Sequence, residues 1–182
     1  MRKVILKLHV SLDGYLCAAR GDAMEWVFRS YDDKLKAWEL AQLRQAGVHA
    51  MGRALYEEMA AYWPNSTDAF AEPMNHIPKL VFSNTLAEAT WPDTSIARGD
   101  APHALQRLLN EPNTDQRPIL VHGGASLVQG LLRHQLIDEM LLIVHPVALA
   151  KGLPLFTTPV DLRLISSRSF PAGAVLMVYG RS

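Results

Sequence analysis

Ile119-Leu120-Val121-His122-Gly123-Gly124-Ala125-Ser126-Leu127-Val128 is the stretch on which the fold turns. Ile119 to Val121 fits a short buried strand, two glycines follow, and Leu127, Val128, Leu131 and Leu132 then recur at helical spacing. A strand that runs through a glycine turn straight into a helix is half of a β-α-β crossover, and such units build parallel sheets. Free backbone N–H groups and the positive end of the helix dipole meet at this junction, and glycine removes the side chains that would hold a phosphate away. Gly123, Gly124, Ala125 and Ser126 are therefore candidates for a pyrophosphate cradle. A plain tight turn accounts for two adjacent glycines equally well. The stretch is neither G-x-G-x-x-G nor a P-loop, which disfavours the two commonest nucleotide folds.

Reading outward, Met51-Gly52-Arg53 repeats the arrangement between a strand at Val48 to Met51 and a helix at Ala54 to Ala61. Arg53 there offers a planar fork to a phosphate. Val4 to Val10 alternates as a strand and ends in Ser11-Leu12-Asp13-Gly14-Tyr15, ahead of a polar loop carrying Gly21 and Trp26. Leu35, Trp38, Leu43 and Ala46 mark a helix, for which Ser30 and Asp33 have capping-box spacing and Gly47 suits a C-cap. Tyr62 to Pro78 reads as irregular. Strands follow at Lys79 to Phe82 and Ser95 to Ala97, and Asp100 with Pro102 opens another helix.

Met140 to Val147 is apolar apart from His145, as in a strand covered on both faces. Leu162 to Ser166 and Val175 to Tyr179 close the chain as a hairpin around Pro171-Ala172-Gly173. The expectation is one domain spanning residues 1–182: a three-layer α/β sandwich with a mainly parallel sheet, an antiparallel C-terminal edge hairpin, and helices on both faces.

Charge sharpens the functional reading by exclusion. Lysine plus arginine total 18 and aspartate plus glutamate total 18, so no basic field gathers nucleic acid. The longest apolar run, Met140 to Ala150, falls short of the ~20 residues of a membrane span. Met1-Arg2-Lys3 leads directly into a strand without a cleavage site, and Cys17 is the single cysteine, so a cytoplasmic protein without a signal peptide is expected. The seven histidines show no metal-ligand spacing, and no metal is expected. Ser83-Asn84-Thr85 follows a strand and offers small polar groups to a phosphate or ribose, or forms an ordinary polar turn. Asp13, at the carboxyl end of the first strand, is either a substrate contact or a turn former. Trp26 either stacks on a flat ring or packs. Asp13 and His122 are candidates for proton delivery.

Several motifs then align with one family: SLDGY at Ser11 to Tyr15, MGR-x-x-YE at Met51 to Glu57 and PKLVFSNTL at Pro78 to Leu86, followed by VHGGASLVQGLL at Val121 to Leu132 and LIDEMLLIVHPVALAKGLPLF at Leu136 to Phe156. In this order they resemble the dihydrofolate reductase-like proteins, and more closely the RibD C-terminal domains, the reductase halves of riboflavin-biosynthesis enzymes. The resemblance implies an NADPH-dependent reductase, with NADH as an alternative, that acts as a homodimer on a small heterocyclic or carbonyl substrate, as 5-amino-6-(5-phosphoribosylamino)uracil reductase does. It places Gly52, Arg53 and Gly123 to Ser126 at the cofactor's phosphates and Ser83, Asn84 and Thr85 near the adenosine phosphate. Asp13, Trp26 and Tyr56 would face the substrate. His122 stands where the riboflavin enzymes often carry an acid, and Ala54-Leu55 where arginine-threonine commonly follows Gly-Arg. Two other readings stand beside this one: a true folate reductase using Asp32 or Asp33, which helix capping explains more cheaply, and a non-catalytic module that binds a nucleotide or small ligand.

Overall fold

The structure is a computed structural model and describes residues 2–18, 24–112 and 114–181; Gly21 and its neighbours in the expected polar loop lie outside them. In chain order the elements are β1 (Val4–Ser11), β2 (Tyr15–Cys17), α1 (Glu25–Phe28), α2 (Asp33–Gln45), β3 (Val48–Gly52) and α3 (Arg53–Tyr62). A 3-10 turn (Trp63–Asn65) leads to α4 (Ala71–His76), β4 (Lys79–Phe82), β5 (Thr94–Ala97), α5 (Ala101–Asn110), β6 (Ile119–Gly123) and α6 (Ala125–Arg133). The chain ends with β7 (Glu139–His145), β8 (Leu153–Pro154), β9 (Leu162–Ser169) and β10 (Val175–Arg181).

Eight strands form one sheet in the order β5-β4-β3-β6-β1-β7-β10-β9. β5 through β7 run parallel, and β10 pairs antiparallel with both β7 and β9. From β1 the chain builds β3, β4 and β5 outward on one side. It then returns to insert β6 between β3 and β1, and only then adds β7 on the other side. The winding direction reverses beside β1, and ligands of open α/β sheets collect beyond the carboxyl ends of the strands at such a point.

Both faces of the central strands are covered because they alternate apolar residues to each side, whereas the edge strand β9 is exposed along nearly its whole length. Leu6, Leu8, Ile119, Val121 and Met140 pack with Leu105 of α5 and with Leu127, Val128 and Leu131 of α6. On the opposite face Met51, Val81 and Leu120 meet Leu43, Tyr56 and Met74, while Leu141, Ile143, Leu176 and Val178 meet Leu35. A second, two-stranded sheet pairs β2 with β8.

Three local expectations are corrected. The stretch from Tyr62 to Pro78 is ordered: Ala71, Pro73 and Met74 are buried, with Pro73 inside α4. The cap of α2 is Asp32, whose carboxylate accepts from the Lys34 and Leu35 N–H groups at 2.9 Å each, because the Ser30 hydroxyl is engaged with His145 at 2.7 Å. Gly47 is not a left-handed cap: Ala46 ends α2 in extended backbone, and a Cβ on Gly47 would lie 2.6 Å from Arg2 Nη2. That glycine makes room for a buried arginine, not for a turn.

Candidate active site

The two glycine turns abut. Gly52 precedes α3 and Gly124 precedes α6, each as an N-cap without a side-chain hydrogen bond, so the first N–H groups of both helices are left to a ligand or water. A Cβ on Gly124 would stand 3.1 Å from both Cα and N of Gly52, and Gly123 and Gly124 hold φ of +139° and +90°. Only glycine combines that approach with that backbone. Arg53 extends the cradle. It donates to Glu57 Oε1 at 2.7 Å and to the Thr85 hydroxyl at 2.6 Å, which ties α3 to the turn after β4. There the Ser83 hydroxyl accepts from Leu86 N–H at 2.9 Å, Asn84 Oδ1 accepts from Gly99 N–H at 2.6 Å, and Arg98 donates to the Leu86 carbonyl at 2.7 Å. Gly52, Arg53, Ser83 to Thr85 and Gly123 to Ser126 thus lie along connected strand ends.

Beside this cradle, a group of polar side chains interrupts the apolar sheet face under α2. Lys7 and His9 occupy the side of β1 opposite the buried Leu6 and Leu8, and both meet Glu39 of α2. The Lys7 ammonium lies 2.5 Å and His9 Nε2 3.1 Å from Glu39 Oε1, and the Tyr31 hydroxyl donates to Oε2. His9 Nδ1 continues to His145 Nε2 at 2.9 Å. Burial works to raise the Glu39 carboxyl, but the Lys7 ammonium and His9 outweigh it and hold the group far below the usual carboxylate range. Burial lowers His145 to about 4.

Across β6 lies a second histidine pair. The register skips from Val121 opposite Ala50 to Gly123 opposite Met51, so His122 is a bulged residue. Its Nε2 lies 2.9 Å from Nδ1 of the fully buried His49. Burial, then the neighbouring His49 and Lys7, keep His122 well below the ordinary histidine value.

A profile of the RibD C-terminal domain matches residues 2–176. The chain belongs to the RibD C-terminal domain family. Among curated proteins it is 29% identical to the Uncharacterized protein YyaP of Bacillus subtilis (strain 168), over 98% of this chain and 94% of that one. Among solved structures it is similar to a putative riboflavin biosynthesis protein from Shewanella sp. PV-4, with TM-score 0.78, 22% identity and 99% of each chain covered. It also resembles a diaminohydroxyphosphoribosylaminopyrimidine deaminase/5-amino-6-(5-phosphoribosylamino)uracil reductase from Thermotoga maritima, with TM-score 0.69 and 19% identity. This chain is covered fully in that match and spans 57% of the other.

Within this RibD C-terminal domain the remaining expected residues take other places. Tyr56, expected at the substrate, is 2% exposed, packs in the core beneath α3 and accepts from Trp91 N–H at 3.0 Å. Trp26 is buried with its ring edge-on to His145, 5.4 Å between centroids. Asp13 is at the rim, but its carboxylate accepts from the Ser11 hydroxyl at 2.6 Å and from Leu149 and Ala150 N–H groups at 3.1 and 2.8 Å. Those donors, the Ser11 hydroxyl first, lower its pKa, so near neutral pH Asp13 holds no proton to give; it anchors one loop to another. His122, kept neutral, likewise offers no imidazolium proton.

Lys7, His9, Glu39, Tyr31 and His145 were not among the site candidates read from the sequence. Their signal was nevertheless present. Glu39 sits on the stripe Leu35, Glu39, Leu43, and Lys7 and His9 alternate with Leu6, Leu8 and Val10 in a strand that lies inside the sheet. A charge inside an otherwise buried pattern marks a buried polar site.

Proposed function

We propose that this chain is a reductase that takes its electrons from NADPH and reduces a small heterocyclic or carbonyl substrate, in the manner of 5-amino-6-(5-phosphoribosylamino)uracil reductase. The observation that carries the reading is the contact of Gly52 with Gly124. It brings two uncapped helix N-termini together at a point where a Cβ would intrude, and a diphosphate needs such a convergence of N–H groups without side chains in the way. Arg53, and Arg98 at the Ser83–Leu86 turn, supply cations where an additional phosphate on the adenosine would lie, which favours NADPH over NADH. When bound, the cofactor supplies a hydride.

The chain's own residues bind and orient. The glycine turns hold the diphosphate, and the polar face at Lys7 and His122 receives the substrate. Lys7, its side chain 11% exposed and its ammonium fixed by Glu39, is the charged group of that face. The folate-reductase reading loses its carboxylate here: Asp32 spends both oxygens on N–H groups of Lys34, Leu35 and Ala172, and Asp33 is exposed in the first turn of α2. A homodimer in the cytoplasm belongs to the same proposal, and sedimentation of the purified chain checks the first part.

Fluorescence titration with NADPH and NADH, followed by a panel of pyrimidine, carbonyl and dihydrofolate acceptors, tests the reading. Saturable binding that prefers NADPH, weakened about 10-fold by Arg53→Ala, is expected, together with oxidation of NADPH by at least one acceptor. Absence of NADPH binding overturns it. Tight binding without turnover on any acceptor transfers the assignment to a non-catalytic module.

A further inference from the structure

A chain of hydrogen bonds runs from Glu39 across β1 to β7 and the turn after α1, and its direction is set at one end. Glu39, paired with the Lys7 ammonium at 2.5 Å, is a carboxylate and only accepts. His9 Nε2, 3.1 Å from Glu39 Oε1, therefore carries hydrogen. While His9 is neutral its Nδ1 is a bare lone pair, and His145 Nε2, 2.9 Å away, has to donate to it. That leaves His145 Nδ1 bare, and the Ser30 hydroxyl donates to it at 2.7 Å. A proton added to this chain goes to His9, which is partly exposed and touches the carboxylate, whereas His145 is fully buried behind Ser30. His9 Nδ1 then donates, so His145 Nε2 has to accept. His145 moves its own hydrogen to Nδ1 and donates to the Ser30 oxygen. The His9–His145 and His145–Ser30 bonds both reverse, every ring nitrogen stays partnered, and no heavy atom has to move.

The same proton changes the charge of the substrate face. With His9 neutral, the Lys7 ammonium and the Glu39 carboxylate cancel. With His9 protonated, Lys7 Nζ and His9 Nε2 share the single oxygen Oε1, and one positive charge is left over on side chains that are 11% and 19% exposed. Resting on the reductase reading above, which puts the substrate at Lys7, we propose that Ser30, His145 and His9 form a one-proton switch that turns this face from a site for a neutral ligand into a site for a carboxylate or similar oxyanion. The other titratable groups around the pair keep their state. Tyr31, ahead of α2, donates its hydroxyl hydrogen to Glu39 Oε2 and is held neutral by burial and that carboxylate. Asp68, beyond Tyr31, keeps its charge in a pair with Lys36 at 2.7 Å. His122 on β6, which also faces Lys7 and Glu39, is kept neutral by burial.

Long-range ¹H–¹⁵N spectra of the wild-type chain separate protonated from bare ring nitrogens. At pH 8 both rings are expected to carry hydrogen on Nε2 alone. On titration to pH 5, His9 is expected to become protonated on both nitrogens, while His145 stays neutral and moves its hydrogen to Nδ1 with the same midpoint. A His9 that stays neutral throughout, or a His145 that keeps its Nε2 hydrogen or itself becomes charged, overturns the switch. Benzoate and benzamide, flat rings of similar shape that differ in charge, probe the ligand class on the chain without cofactor. Benzoate is expected to shift the His9 resonances and to bind about 10-fold more tightly at pH 5 than at pH 8, the effect of one added charge near a partly buried site, while benzamide affinity changes by less than about two-fold. The same pH dependence for both probes, or binding of neither, overturns the anion site. His9→Gln is expected to make benzoate affinity independent of pH. Should that variant fail to fold, the wild-type spectra and the two-probe comparison still decide. Failure of NADPH to bind, with these results as expected, removes the reductase reading and leaves the switch and its anion site standing.

Discussion

Tyr56 and Trp91 show how a polar atom settles a residue's place. The Tyr56 hydroxyl is the acceptor for a buried backbone N–H of Trp91, and the ring lies among Met51, Met74 and Leu120. Tyr56→Phe leaves that N–H unpaired and is expected to cost about 1–3 kcal/mol in urea unfolding, while the NADPH titration stays unchanged. Weaker cofactor or substrate binding without loss of stability would return Tyr56 to the site.

His49 and His145 extend the same logic to pH. Burial holds each to about 4 in the fold, whereas in the unfolded chain each takes up a proton near pH 6.5. Between those values the unfolded chain binds more protons, so stability is full above about pH 6.5 and falls as pH drops towards 4, by up to about 1.4 kcal/mol per unit for each histidine. Glu39, held low in the fold, adds its own loss once pH falls below its unfolded value of 4.5. The urea midpoint is expected to be lower at pH 5 than at pH 7, with the difference reduced in His145→Gln. A midpoint independent of pH over that range contradicts the buried neutral histidines.

Among the elements, α2 was legible in outline and misread at its ends. Its apolar stripe is in the sequence, but four candidate caps, Ser30, Asp32, Asp33 and Gly47, differ only by what each touches across the chain. Asp32 caps α2 and also accepts from Ala172 N–H at 2.8 Å, pinning the helix to the β9–β10 hairpin. Ser30 is drawn away to His145, and Gly47 yields space to Arg2. These partners lie more than a hundred residues off or across the sheet, so no local pattern names them. The short helix α4 was missed for a related reason, since its stability comes from burying Ala71 and Met74 and not from its own six residues. Asp32→Ala is expected to destabilise the chain by about 1–2 kcal/mol, a larger loss than Asp33→Ala. Equal small losses from both substitutions would mean that the cap is shared.

Across the whole molecule, the parallel sheet and its antiparallel edge were readable because strand and helix periods alternate cleanly from Val4 to Arg133. The glycine turns were readable because each ends a strand and opens a helix. Their meeting was not, because β3 and β6 become neighbours only when β6 inserts between β3 and β1 late in the chain. That insertion brings Gly52 against Gly124, and it makes cofactor binding and global stability one linked quantity. A ligand that binds only the folded chain stabilises it by about 2.7 kcal/mol at 100 times its Kd, which for a domain of this size raises Tm by roughly 5–10 °C. NADPH is expected to produce such a rise. Gly124→Ala places a methyl 3.1 Å from the Gly52 backbone at φ +90°, so it is expected both to lower Tm without ligand and to abolish the NADPH-dependent rise. Ser126→Ala, which leaves the backbone contact intact, separates the two effects: the ligand-free Tm stays near wild type and most of the NADPH response is kept. A Gly124→Ala chain that still gains the full rise would show that the dinucleotide lies elsewhere and that the two turns meet for packing alone.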